Sequence, residues 1–309
     1  MAGKDASEAQ ATPVAAEAKL GGSAEGAARE FAAKLGAKRR GAGAPVRNYF
    51  TADDREGVKP PMAQLLSSAS SGGGGRGGQL RLKLYLSLLW VCAAAPYEAV
   101  RPARAWAALL GLDDPGGRGT RRVQETMREL QERNLVRLRD RGGLPSGITV
   151  LSDFGTGADY EPPSETYNRL KLRGAADELL GVHRYFRVPS SLWTSGLITR
   201  LSGPGLAMLL VLRCEQQSKD AVPVWFSPAR AANRFGLAES TRRLGLEQLR
   251  NEGLVVTSVH RLSETGDFID VYRQRKVHAL DLSRLAPSGE PRSEALSSML
   301  LPAPAATPR

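Results

Sequence analysis

Residues 224–272, VWFSPARAANRFGLAESTRRLGLEQLRNEGLVVTSVHRLSETGDFIDVY, decide the reading of this chain. A short apolar run precedes Ser227 and Pro228, a good N-cap followed by a residue suited to the first helical position. That helix should end at Gly236. After Leu237, the turn Ala238-Glu239-Ser240 leads into a second helix running to about Glu252, with Gly253 placed to terminate it. Leu246, Leu249 and Gly253 share one face of that helix at helical periodicity. Ser240, Arg243, Leu244, Glu247, Gln248 and Asn251 turn the other way. Two strands should follow, at 254–262 and 268–272, around the turn-forming run 263–267.

Helix, turn, helix and β-hairpin in that order make a winged helix, a module that offers one helix to a DNA major groove and a hairpin to the neighbouring backbone. The pattern occurs twice. Residues 102–112 read PARAWAALLGL against PARAANRFGL at 228–237. Residues 127–136 read MRELQERNLV against LEQLRNEGLV at 246–255, aligned without a gap at an offset of 119. Leu130 then matches Leu249, and Asn134 matches Gly253; Asn is the commonest substitute where Gly ends a helix in a left-handed conformation. An internal repeat of this kind predicts two tandem units. The copies differ by six residues in the turn, carried by DDPGGRG at 113–119. The first copy's recognition helix should therefore start near Thr120, with Val123, Met127, Leu130 and Asn134 inward and Arg121, Gln124, Glu125 and Arg128 outward. Its hairpin should pair 135–140 with 148–151 and carry Arg137, Arg139 and Arg141.

The expected fold class is α+β, mainly helical, with two winged helices at 80–153 and 183–284. Residues 1–79 read as a disordered tail, with a weak helix between Ala24 and Leu35 and a flexible linker at 70–78 (SSGGGGRGG). Lys38, Arg39 and Arg40 form a charge run, read first as solvated and second as an arm on phosphates. Residues 154–182 read as a connection with a short helix at 174–180, and 285–309, rich in Pro, Ala and Ser, as a disordered tail. LRLKLYLSLLWVCAAA at 80–95 is apolar nearly all round and should be a buried helix.

The chain has 309 residues, a formal net charge of +11 and a pI near 10.0. The positive charge is concentrated in 1–79 (+3), 80–153 (+4) and 183–284 (+6), whereas the connection carries −2. That distribution points to a polyanion, with a basic surface tuned for solubility as the bland alternative. No apolar run approaches the roughly 20 residues of a membrane span. The first residues lack a signal peptide's apolar core, so a cytoplasmic, nucleoid- or plasmid-associated protein is expected, with Cys92 and Cys214 reduced.

The second unit opens with YFRVPSSLW at 185–193, followed by LS, a buried helix and VWFSP. This succession resembles the N-terminal winged-helix domain of RepA-type plasmid replication initiators, over about a third of the chain. It is a pattern of residue types rather than a signature motif. The resemblance implies binding to repeated origin sites and recruitment of replication proteins. Arg242 departs from the pattern by falling on the core phase of its helix.

Catalytic signatures are lacking. His183, His260 and His278 are isolated from one another and from the cysteines. The glycine run lacks the Lys-Ser/Thr ending of a phosphate loop, and Asp267 and Asp270 lack a third ligand. No enzyme activity, cofactor or metal is expected. The expected ligand is double-stranded DNA. Arg121, Gln124, Arg128, Arg243, Gln248 and Asn251 should approach bases or groove walls; Arg139, Arg141 and Arg261 should approach phosphates. Regulation of transcription and replication of a plasmid or mobile element both remain open, with replication or transcription proteins as further partners. The alternative is a winged-helix scaffold that binds only proteins.

Overall fold

The computed structural model describes residues 14–38, 43–67, 76–217, 219–261 and 274–285. The chain is α+β with small sheets. It begins with α1 (Val14–Lys38), β1 (Ala44–Arg47), α2 (Asn48–Thr51) and α3 (Pro61–Leu66). The first repeat copy follows as α4 (Arg76–Val91), β2 (Glu98–Val100), α5 (Ala103–Leu109), α6 (Arg118–Glu132), β3 (Val136–Arg139) and β4 (Gly147–Val150). A connection of α7 (Pro163–Leu172), α8 (Asp177–His183), β5 (Tyr185–Val188), α9 (Ser191–Thr194) and α10 (Leu197–Arg200) leads to the second copy. That copy comprises α11 (Gly203–Glu215), α12 (Pro228–Phe235), α13 (Glu239–Asn251), β6 (Val255–Arg261) and β7 (Gln274–Leu280).

The two copies share a plan. In the first, β3 and β4 form an antiparallel hairpin, and β2 pairs with the outer edge of β4. In the second, β6 and β7 pair from Val255–Leu280 to Arg261–Gln274, and Val224 bridges His278 on the outer edge of β7. The segment before the helix pair thus supplies a third strand in one copy and a single bridge in the other. Helix termini also correspond. Gly111 and Gly236 both adopt left-handed backbone after the repeated Gly-Leu helix, at φ 63° and 60°. Asn134 and Gly253 do so after the following helix, at φ 56° and 71°, as the alignment predicted.

Helices α4 and α11 form the spine. From Leu80 to Trp90 every residue of α4 is buried, as are residues 205–214 of α11, and the two helices pack together. Trp90 of α4 stacks on Trp193 of α9 at 4.6 Å, and the Trp193 indole donates to the Ser87 hydroxyl at 2.9 Å. The apolar core is continuous from Ala32 to Leu282 and includes both copies.

Three expectations need correction. Residues 43–67 are not a tail. Strand β1 pairs antiparallel with β5, from Ala44–Val188 to Arg47–Tyr185, while Phe50, Met62 and Leu65 are fully buried. The buried Arg47 forms an ion pair with buried Asp153, and its other terminal nitrogen donates to the Glu161 carbonyl at 2.6 Å. Helix α1 covers the expected 24–35 segment and more, burying Ala28, Ala32 and Leu35 against α5 and α9. Second, the connection is richer in structure than expected: α7 was not foreseen, and the short helix lies at Asp177–His183 instead of 174–180. Third, the strand paired with β6 is Gln274–Leu280, whereas the expected strand at 268–272 and its turn lie outside the described residues. The expected tail at 285–309 also lies outside them, apart from Leu285. The linker at 70–78 and the charge run at 38–40 fall mostly outside them too.

Candidate nucleic-acid interface

The six extra residues of the first copy form a turn built around Asp114, whose backbone is left-handed (φ 47°). Its carboxylate accepts from the amides of Gly117 and Arg118 at 3.1 and 2.9 Å, and its carbonyl accepts from Gly119 at 2.9 Å. An anionic side chain thereby satisfies the open amides at the start of α6 and opposes the positive end of its dipole. A side chain at Gly119 would crowd Ala107 at 3.3 Å, so glycine permits α6 to begin against α5. Helix α6 starts at Arg118, two residues before the expected Thr120.

Along α6, Val123, Met127 and Leu130 are buried and Arg121, Gln124 and Arg128 are exposed, as their spacing predicted, whereas Asn134, expected inward, is exposed just past the helix end. Arg118 and Arg122 are exposed beside them. Among the described residues, none of these four arginines pairs with a carboxylate. A groove of about 380 Å³ runs between this face, the start of α5 and the hairpin loop. Gln124 and Thr120 line it from α6, Arg104 from α5, Arg101 just before α5, and Leu144 and Ser146 from the hairpin loop. Three separate segments thus meet along one cationic cleft. On the hairpin, Arg141 is exposed and has no ion pair among the described residues, while Arg139 reaches Glu98 of β2 at 2.6 Å. Arg137 stands 3.4 Å from Asp159. Arg139 is therefore part of the sheet's own charge pairing and is less available to a phosphate than expected.

In the second copy the Ser227 hydroxyl accepts from the Arg230 amide at 3.2 Å, and Pro228 opens α12. Arg242 does fall on the core phase. It is buried, and a terminal nitrogen donates to the Leu237 carbonyl at 2.6 Å, fastening the turn between α12 and α13. Arg243 and Asn251 are exposed on the outer face, with Arg243 3.8 Å from Glu247 one turn on. Leu244 is an exposed apolar residue between them.

Gln248 is not an outward residue. Its side-chain oxygen accepts from the Ser202 amide at 2.9 Å and hydroxyl at 2.6 Å, and its nitrogen donates to the Arg200 carbonyl at 3.1 Å. Ser202 is itself the N-cap of α11, accepting from Gly205. Gln248 therefore locks α13 to the start of α11, with its polar groups used internally. Helical phase gives the direction of a side chain and says nothing of a neighbouring helix end reaching over it. Arg261 closes β6 opposite Gln274, and its side chain lies outside the described residues.

The residues missed by sequence reasoning are Arg101, Arg104, Arg118, Arg122 and Arg230. A signal existed for two of them. Arg104 and Arg230 occupy the same place in the repeated Pro-Ala-Arg-Ala, and both are exposed in the first turn of their helices.

Other titratable groups show packing roles. His278 is shifted down to about 4 by burial, then by Arg250 and Lys276, and its Nδ1 lies 3.0 Å from the Thr257 hydroxyl. Burial, with Arg47 nearby, also lowers His183. Cys92 and Cys214 are free and buried, and burial pushes the Cys214 thiol up to about 12. Such a thiol is a poor nucleophile. Among the described residues no group of three His, Cys, Asp or Glu is arranged to hold a metal, and no helix is long and apolar enough to cross a membrane. No protein-family profile, curated protein or solved structure matches this chain.

Proposed function

We propose that the protein binds double-stranded DNA through two winged helices, to regulate transcription or to serve replication of a plasmid or mobile element. The observation that carries this reading is the cationic groove of the first copy. Arg101 and Arg104, the polar face of α6 and the hairpin loop converge there, at the three places where a winged helix meets duplex DNA. Arg121, Gln124 and Arg128 then face the major groove, where arginine recognises guanine and glutamine recognises adenine. Arg104 and Arg141 hold phosphates beside it. The second copy offers Arg230, Arg243 and Asn251 in the same way, and Gln248 serves as a structural clamp. Resemblance to plasmid initiators favours repeated sites, which two units on one chain would engage together.

The test is fluorescence anisotropy with duplex fragments recovered from sheared genomic DNA. Replacing Arg121 and Arg243 together with Ala should weaken binding at least about tenfold. It should also relax discrimination among duplex sequences, whereas replacing the phosphate contacts Arg104 and Arg141 together should lower the slope of log K against log salt by roughly 2. Unchanged affinity in the Arg121 and Arg243 double variant would overturn the reading. Recovered repeats beside an origin would indicate replication, and a promoter would indicate regulation.

A further inference from the structure

A second cleft, of about 550 Å³, lies away from α6 and α13. Four separate segments build it: the start of α2, the middle of α7, strand β5, and the C-terminal end of α11. Its lining holds Arg184, Arg187 and Arg213 and no carboxylate. Arg213 is held by Asp220 at 2.8 Å and by the Arg187 carbonyl at 3.3 Å. Arg184 and Arg187 are exposed, and among the described residues neither pairs with an acid. Tyr167 and Tyr185 are half-buried in the same walls, beside the side-chain amides of Asn48, Asn168 and Gln217.

Each component limits what fits. Two guanidinium groups free of ion pairs, in a lining that itself contains no acid, favour an anion with several oxygens. Tyrosine rings favour a flat, aromatic body. Side-chain amides offer both donors and acceptors, as a heterocycle edge requires. The volume falls within the range of small-molecule sites. We infer that this cleft binds a nucleotide, with phosphate on Arg184 and Arg187 and the base against Tyr167 and Tyr185. Its walls join the connection to α11, the spine helix of the second copy. Occupancy therefore braces α7 and β5 against the helix on which α13 packs. This site is independent of the DNA-binding proposal, since it shares no residue with those faces.

The full chain would be titrated calorimetrically with ATP, GTP and pyrophosphate at about 0.15 M salt. The expected result is binding of at least one nucleotide, and weaker binding of pyrophosphate. Replacing Arg184 and Arg187 together with Ala should weaken the nucleotide about tenfold or more. Tyr167→Ala should weaken the nucleotide but leave pyrophosphate unchanged. Lys34→Ala, an exposed charge on α1, should change nothing. Circular dichroism of each variant would show that the fold is retained. The inference is overturned if neither nucleotide binds at millimolar concentration, or if both bind the double variant as well as the parent. Pyrophosphate binding as tightly as the nucleotides would also overturn it, by showing a plain anion site. So would a single-stranded oligonucleotide that binds more tightly than either nucleotide and depends on the same two arginines.

Discussion

Gly245 sits in the middle of α13, where alanine would ordinarily help. A glycine-to-alanine change in a helix interior is worth about 1 kcal/mol in its favour. Here the geometry opposes it. A Cβ on Gly245 would lie 2.8 Å from the Pro204 carbonyl carbon and 2.6 Å from Met208 Cγ, with the Pro204 carbonyl oxygen closer still. Ordinary contact begins at about 3.4 Å, so α13 must retreat from α11 by about 1 Å to clear that oxygen. Met208 can turn aside; the first turn of α11 is backbone and cannot. Overpacking of this kind costs typically 1–3 kcal/mol, and a backbone obstacle puts the cost at the upper end. After subtracting the propensity gain, Gly245→Ala should destabilise the protein by about 2 kcal/mol. Urea unfolding followed by far-ultraviolet circular dichroism measures this directly. Gly181 in α8 is the control, because a Cβ there meets nothing within 4 Å. Gly181→Ala should be neutral or stabilising by up to about 1 kcal/mol. If Gly245→Ala proves as stable as the parent, α11 and α13 do not approach this closely, and the argument for their packing fails.

Two further outcomes follow from the described contacts. Gln248→Ala strips the Ser202 amide and hydroxyl of their acceptor, so it should cost about 1–3 kcal/mol of stability. Duplex affinity, measured well below the melting transition, should barely change; a selective loss of affinity with full stability would instead make Gln248 a DNA contact. His278 has its folded pKa depressed to about 4 from 6.5, so the unfolded chain binds the extra proton first. Stability from this group is present above pH 6.5 and is lost as pH falls towards 4. The urea midpoint should drop across that window, and His278→Gln should flatten the drop; parallel curves for the two proteins would refute the assignment.

Much of the helix-and-hairpin plan was legible because its signals are local. Ser227 and Pro228 start a helix, Gly236 ends one, and Asn134 does what Gly253 does, all through interactions within a few residues. The nearly all-round apolar character of α4 and α11 marked both as buried helices for a similar reason: only a helix covered on all sides can be so apolar around its circumference. The N-terminal elements were illegible because β1 is four residues long and its partner is remote, leaving no periodicity to read. Arg47 fell inside the expected tail because its partner, Asp153, lies far along the chain. At the candidate interface, helical phase separated Arg121 and Arg128 from Val123 and Leu130 correctly. It failed at Gln248, where Ser202 comes from another helix end, and nothing local to the hairpin announced that Glu98 of β2 would pair with Arg139.

The pairing of β1 with β5 has a consequence for how the chain acquires its fold. Ala44 must wait for Val188, so both strands have emerged only after 144 further residues are made. Until then Phe50, Met62 and Leu65 have α4 to pack on, with Phe50 5.3 Å from Tyr85, but lack α11. During synthesis, which proceeds from the N-terminus, the first copy can close on local contacts, while the strip ahead of it packs on α4 alone and stays open where β5 and α11 will lie. Closing so long a loop late slows the final step relative to a chain built from neighbouring helices alone. A truncation before residue 185 should therefore leave a protein with an apolar face uncovered, prone to associate with itself. The N-terminal strip thus makes completion of the fold depend on the arrival of the second half.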